Sequence, residues 1–198
     1  MTHKKILHGQ VVTPLHVTAA YLTVENSKIT GISTTKPTLD ATTEFFDYGA
    51  QYIFPGFIDG HVHCFSNPDE GFAATSVGAA VGGVTTFVDM PYDRPKPINT
   101  AARFNAKKAQ IKGQTIVDIA LWGTIPKRDG VKEIPGLIAA GAAAFKMSTF
   151  ETVLERFPKI SAVDIYDALT KLRKTGIVPA FHSENNEMIV DRKSAVLV

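Results

Sequence analysis

Two histidines separated by one residue, His61 and His63, are the part of the sequence best suited to binding a metal ion. They end the segment F-P-G-F-I-D-G-H-V-H, residues 54–63, in which Pro-Gly predicts a turn and the following apolar residues predict a short strand. Side chains alternate between the two faces of a strand, so His61 and His63 point the same way and Val62 points the other way. The spacing therefore predicts two imidazole ligands to one metal ion.

Two further polar residues end apolar stretches that are predicted to be strands. Lys146 follows A-A-A-F, and His182 follows P-A-F. A lysine at the end of an apolar strand loses hydration as a cation. It either extends to solvent or is neutralised and used as a nucleophile or as a carbamate ligand. His182 on its own fits an ordinary polar residue as well as it fits a ligand.

Acidic residues near the histidines are candidates for the second coordination shell. Asp59 shares the strand parity of the two histidines and could accept a hydrogen bond from an imidazole N–H. Asp89 is a second candidate of the same kind. Alternation points Cys64 away from the histidines, which predicts a packing role. The basic pair Lys107 and Lys108 is predicted to lie on a solvated helix face.

The elements that must position these residues fall into two groups. Residues 5–12, 20–25, 29–32 and 44–53 are predicted to be short strands, with a hairpin turn at 26–28. After residue 55, apolar strands alternate with helices. The predicted strands are 57–63, 84–90, 115–122, 142–147 and 177–182; the predicted helices are 72–81, 100–112, 132–140, 161–175 and 184–192.

Strict alternation of strand and helix predicts a parallel sheet covered by helices, an α/β fold. A (β/α)8 barrel carries its chemistry at the carboxyl ends of its strands, and an open doubly wound sheet also binds ligands there. The polar residues fall at those ends in either case. The alternation therefore predicts a shared site and leaves both architectures open.

Composition narrows the class of protein. The formal net charge of +2 is too small to indicate a nucleic acid or a membrane as partner. The apolar runs are too short for a membrane span, and the first residues do not resemble a secretory signal. One cysteine excludes an intramolecular disulfide. We expect a cytoplasmic globular protein.

Four motifs, taken together and in order, resemble one family. P-G-F-I-D-G-H-V-H, G-G-V-T-T-F-V-D-M-P, A-F-K-M-S and F-H-S-E-N are similar to motifs of the cyclic amidohydrolases of the amidohydrolase superfamily. This family includes allantoinase, hydantoinase/dihydropyrimidinase and dihydroorotase. The resemblance implies that residues 1–54 are part of a small β-sandwich. Residues 55–198 would be the first five βα units of an incomplete TIM-like metal-dependent hydrolase barrel.

The resemblance also implies a site and a reaction. His61 and His63 would bind a buried metal, carbamylated Lys146 would bridge two divalent ions, expected to be zinc, and His182 would bind the second ion. These ions would activate water to hydrolyse a C–N bond of a small cyclic amide or ureide. Full-length members are expected to form homo-oligomers.

Departures from the family pattern affect the substrate and the activity. Dihydroorotases carry an arginine soon after the histidine motif, whereas C-F-S-N-P-D-E-G follows His63. This disfavours dihydroorotase and leaves an allantoinase- or hydantoinase-like reaction.

The length of the chain is a second departure. The family's catalytic aspartate is expected beyond Val198, and residues 193–198 do not clearly continue the last helix. We therefore expect a truncated chain with little or no activity. The alternatives are a non-catalytic scaffold protein and an aggregation-prone fragment with an open sheet edge.

Overall fold

The computed structural model describes residues 3–151 and 153–196 of the protein. The chain divides into two units, the first ending at Gly56 and the second beginning at Phe57. Among the residues that the structure describes, no helix is long and apolar enough to cross a membrane.

The first unit is a four-stranded sheet in the order β3-β2-β1-β4. Its strands are β1 (Lys4–Val12), β2 (Val17–Glu25), β3 (Lys28–Ser33) and β4 (Thr43–Ile53). The first three form antiparallel pairs, whereas β4 runs parallel to β1. Asn26 and Ser27 have φ angles of 51° and 63°, which suit the tight turn of a hairpin. The predicted hairpin is therefore confirmed.

The second unit is a five-stranded parallel sheet whose strands follow one another in chain order. The strands are β5 (Phe57–Val62), β6 (Val84–Asp89), β7 (Asp118–Gly123), β8 (Ala144–Ser148) and β9 (Val178–His182). The helices are α1 (Gly71–Val81), α2 (Ala101–Ile111), α3 (Ile134–Ala140), α4 (Ala162–Leu172) and α5 (Asn186–Val196). The predicted α/β class is confirmed, and the sheet curls as half a barrel does.

Helix boundaries in this unit follow local chemistry. Thr100 caps α2 by accepting a hydrogen bond from the backbone N–H of Arg103 at 3.3 Å. Ser161 caps α4 by accepting from the N–H of Asp164 at 3.1 Å. Gly141 ends α3 with a φ of 106°, in the left-handed region that glycine adopts without strain. Pro135 is tolerated because it lies in the first turn of α3.

The core of the second unit lies between the sheet and its helices. All five residues of β8 are buried. The Phe145 side chain is fully buried and packs in one apolar cluster with Leu137 of α3 and Leu121 of β7. Gly123 borders this cluster, since a Cβ there would be in ordinary contact, 3.5 Å from both Phe145 and Leu137. Lys146 is thus held by a strand that is anchored in the core.

The last helix is longer than the sequence predicted. It ends at Val196, whereas the prediction stopped it at Arg192. The prediction was wrong at Lys193, which lies within α5; this stretch lacks glycine and proline, so nothing in it breaks the helix. Leu197 and Val198 lie outside the described residues.

Candidate metal centre

His61 and His63 converge at the carboxyl end of β5. Their Nε2 atoms are 3.2 Å apart, and their ring centroids are 5.1 Å apart. Two nitrogen ligands at the usual zinc distance on a tetrahedral ion would be about 3.3 Å apart. The two rings therefore fit adjacent corners of one tetrahedral ion. One ring donating to the other would account for the same distance without a metal.

Both imidazoles are biased toward the neutral form. Partial burial, followed by the positive charges of Lys146 and His182, lowers the pKa of His61. Burial and the neighbouring His61 lower the pKa of His63, against the opposing effect of Asp89. A neutral imidazole has the free nitrogen lone pair that a metal needs.

Ser66 supplies a partner for the second ring nitrogen of His63. Its Oγ lies 3.3 Å from Nδ1 of His63 and 3.4 Å from the carbonyl oxygen of Tyr92. Both contacts are satisfied when Nδ1–H donates to Ser66 and the Ser66 hydroxyl donates to that carbonyl. This tautomer leaves Nε2 of His63 unprotonated and directed toward His61, as metal ligation requires.

Asp59, a predicted partner for an imidazole, contacts the backbone in this structure. Its Oδ1 accepts a hydrogen bond from the backbone N–H of His61 at 3.0 Å. The contact fixes the main chain that carries the first histidine of the pair.

Lys146 is the third of the five residues of β8 and is 8% exposed. The prediction that it ends its strand was wrong, because β8 continues to Ser148. Its pKa is lowered because burial disfavours the ammonium form, and the carboxylate of Glu184 opposes this shift in part. In the parallel register Lys146 lies opposite Ala180, two residues before His182. The lysine and this histidine therefore lie near the carboxyl ends of neighbouring strands.

His182 ends β9 and is held by contacts of its own. Its Nδ1 lies 3.5 Å from Oε1 of Glu184, and its ring meets the edge of the Phe157 ring at a centroid distance of 5.5 Å. Thr149 donates to the His182 carbonyl from both its backbone N–H, at 2.8 Å, and its hydroxyl, at 3.0 Å. Within residues 3–151 and 153–196, no three His, Cys, Asp or Glu side chains are grouped as a metal site. His182 thus influences the histidine pair electrostatically without completing a three-residue ligand group.

Asp89, the second predicted partner for an imidazole, instead binds the adjacent backbone and a buried lysine. Its Oδ1 accepts from the N–H of Cys64 at 3.0 Å, and its Oδ2 lies 2.6 Å from Lys107 Nζ. This ion pair lacks well-directed hydrogen-bond geometry at Oδ2.

Three other sequence predictions concern neighbours of this pair. Lys107 is only 3% exposed, so its predicted solvated position is wrong, whereas Lys108 is exposed as predicted. Cys64 belongs to the buried core, which confirms its packing role.

An aromatic and cationic wall flanks the histidine pair. The Tyr92 ring meets the edges of the His63 and Phe157 rings, at centroid distances of 5.9 and 4.9 Å. The Arg156 guanidinium lies 4.3 Å from the Tyr92 ring centroid. Sequence reasoning missed this wall, together with Ser66. Arg156 lies 64 residues after Tyr92 and carries no local signal that pairs the two.

Comparisons with known proteins identify the family. The model of the amidohydrolase family matches residues 52–195. The chain is 30% identical over 172 residues to the mitochondrial allantoinase of Aquarana catesbeiana, covering 85% of this chain and 35% of the relative. It is 32% identical over 178 residues to the L-hydantoinase of Paenarthrobacter aurescens, covering 87% of this chain and 38% of the relative.

Solved structures agree with that assignment. The L-hydantoinase (dihydropyrimidinase) from Arthrobacter aurescens superimposes with a TM-score of 0.88 at 28% identity, covering 97% of this chain and 43% of that one. A D-hydantoinase shares the fold with a TM-score of 0.81 at 22% identity, covering all of this chain and 43% of that one. The chain thus spans about two fifths of the length of these relatives. It belongs to the amidohydrolase family, within the group of cyclic amidohydrolases.

Proposed function

We propose that this chain carries part of a metal-dependent site for hydrolysing the C–N bond of a cyclic amide or ureide, in an allantoinase- or hydantoinase-like reaction. The observation that carries the proposal is the 3.2 Å separation of the His61 and His63 Nε2 atoms. The lowered pKa of each ring supports it, because neutral imidazoles coordinate. Family membership and the names of the relatives agree with this reaction class.

The proposed ligand set is His61, His63, Lys146 and His182, arranged around two divalent ions, with zinc as the expected metal. When bound, such ions supply a Lewis acid and an activated water. The chain's own residues orient the rings: Ser66 contacts Nδ1 of His63, and Glu184 faces Nδ1 of His182. The fit of His61 and His63 to one ion is the best supported part of this set.

Lys146 enters the set as a carbamate. Its neutral amine attacks the carbon of CO2, an N–C bond forms while one C=O π bond opens to give a carboxylate oxygen, and one of the two protons on the nitrogen leaves to solvent. The product replaces a cation with a carboxylate-like group that can bridge two ions. Burial favours this step, because it lowers the pKa of Lys146 and raises the fraction of neutral amine.

At the level of fold, we propose that the first unit is part of a β-sandwich. The five parallel strands are proposed to be the beginning of a (β/α) barrel. The high TM-score against the Arthrobacter aurescens hydantoinase supports this assignment. The carboxyl ends of parallel barrel strands are where such folds place their chemistry.

We further propose that the 198-residue chain alone turns over substrate slowly or not at all. A carboxylate that shuttles a proton to the leaving nitrogen is needed. The carboxylates near the histidines already have partners: Asp59 binds the His61 backbone, Asp89 binds Lys107, and Glu184 faces His182. Purified, zinc-loaded chain assayed on allantoin, hydantoin, dihydrouracil and dihydroorotate tests this. Rates near those of intact relatives would overturn it.

A non-catalytic scaffold or interaction role is the second candidate. It is favoured by the lack of a three-residue His, Cys, Asp or Glu group among the described residues. Zinc content separates the two proposals, since a scaffold has no need of a stoichiometric ion.

A further inference from the structure

A buried charge cluster joins α2 to the residues next to His63. Lys107 Nζ is 2.6 Å from Asp89 Oδ2, 2.7 Å from Asp93 Oδ1 and 3.5 Å from the carbonyl oxygen of Met90. The ammonium thus donates hydrogen bonds to Asp93 and to the Met90 carbonyl, and it forms an ion pair with Asp89. We refer to Asp89, Asp93 and Lys107 as the clamp.

All three residues of the clamp are buried. Lys107 is 3% exposed, Asp93 is 8% exposed and Asp89 is fully buried. The ammonium also lies 5.5 and 6.0 Å from the ring centroids of Phe65 and Phe72. Removing one partner of such a buried ion pair leaves an uncompensated charge, which is strongly destabilising. The three side chains are therefore held in contact with one another.

The clamp connects two segments that contact each other through four hydrogen bonds. The first segment, residues 62–66, includes His63, and the second, residues 89–94, begins with the last residue of β6. Three of the bonds are Met90 N–H to the Val62 carbonyl at 2.8 Å, Cys64 N–H to Asp89 Oδ1 at 3.0 Å, and Arg94 N–H to the Phe65 carbonyl at 3.0 Å. The fourth is the Ser66 hydroxyl to the Tyr92 carbonyl at 3.4 Å. Lys107 binds three groups of the second segment, so it fixes the strand end that these bonds attach to His63.

We infer that Lys107 is a positioning residue for His63. Its ammonium binds Asp89 and Asp93 and so fixes the segment 89–94. That segment, through its hydrogen bonds to residues 62–66, fixes the backbone of His63 and the position of Ser66. Lys107 touches no ligand and acts through this chain of contacts. The inference deepens the proposed function and rests on it only where zinc affinity is measured.

Three variants of the whole chain test the inference. Lys107→Met removes the ammonium, and Lys107→Met with Asp89→Asn and Asp93→Asn removes it without leaving a buried charge. Lys108→Met is the matched control, because this neighbouring lysine is exposed and donates to the Ala140 carbonyl. The readouts are the His63 ring-nitrogen NMR signals, amide hydrogen exchange of residues 62–66, and zinc affinity by chelator competition.

In the neutral triple variant we expect a folded protein whose His63 signals shift toward averaged tautomers and whose 62–66 amides exchange faster. Its zinc affinity should fall about tenfold or more, the range typical for lost outer-shell support. Lys108→Met should match the wild type. A folded triple variant with wild-type His63 signals overturns the inference. So does loss of cooperative unfolding in both Lys107 variants, since the clamp would then serve the whole unit. If the wild type binds no zinc, the proposed function fails, and the NMR signals still decide on the clamp.

Discussion

The Nε2 atoms of His61 and His63 face each other at 3.2 Å, at the carboxyl end of the first strand of a parallel sheet. Strand alternation places the two rings on one side, and Ser66 gives the second ring a partner for its other nitrogen. Two neutral imidazoles in this arrangement have the spacing of two ligands on one tetrahedral ion.

The two histidines should make the chain less stable in mild acid. Their folded-state pKa values are lowered below 6.5, so the unfolded chain binds more protons between that value and the folded pKa. The free energy of unfolding should therefore fall as pH drops below about 6.5. Urea unfolding of metal-free protein at several pH values measures this.

His61→Asn with His63→Asn should flatten that dependence, whereas His16→Asn, at an exposed position, should leave it unchanged. An unaltered pH profile in the double variant would show that these two rings do not titrate as described.

Asp93 should have the opposite effect on stability. Burial raises its pKa to about 6, against the attraction of Lys107. The folded chain then binds more protons than the unfolded chain between about pH 4 and 6, so Asp93 lowers stability as pH rises through that window. The difference in unfolding free energy between wild type and Asp93→Asn, measured across the window, isolates this contribution. A difference that does not change with pH would contradict it.

Zinc binding should depend on dissolved bicarbonate through Lys146. The burial that lowers the pKa of Lys146 favours the neutral amine, and carbamate formation consumes CO2. Bicarbonate should raise the zinc content of the wild-type chain. It should have no effect on the content of Lys146→Gln. Lys174→Gln, at an exposed position, should respond as the wild type does. An equal response in all three proteins would exclude a carbamate at Lys146.

The strand that carries Lys146 should depend on the Phe145 side chain. This ring is fully buried against Leu137, so Phe145→Ala should lower the free energy of unfolding by about 3–5 kcal/mol. Val163→Ala, at a residue that is 71% exposed on α4, should change it by less than about 0.5 kcal/mol. Denaturant unfolding followed by circular dichroism compares them. Similar costs for the two variants would show that β8 is not anchored in the core.

Local signals predicted most of the second unit. Two predicted helices begin at Thr100 and Ser161, and in the structure these residues cap them, because side-chain capping depends on neighbours in the chain. The strand alternation predicted the parallel sheet, and the H-x-H spacing predicted two converging rings.

The positions that sequence reasoning missed depend on contacts between distant segments. The Lys107 side chain was predicted to be exposed because charged side chains on helices usually are. Its burial requires Asp89 and Asp93, which lie 18 and 14 residues earlier. A weak signal was present, since Lys107 lies three residues after Phe104 on the same helix face, and both are buried.

Zinc stoichiometry of the histidine variants tests the central claim most directly. Wild-type chain, His61→Asn, His63→Asn and the control His16→Asn are loaded with zinc, dialysed and analysed for metal, with circular dichroism to verify folding. We expect at least one retained zinc per chain in the wild type and the control, and loss of that ion in either site variant. A wild-type chain without stoichiometric zinc, or zinc retained by folded His61→Asn and His63→Asn, would contradict it.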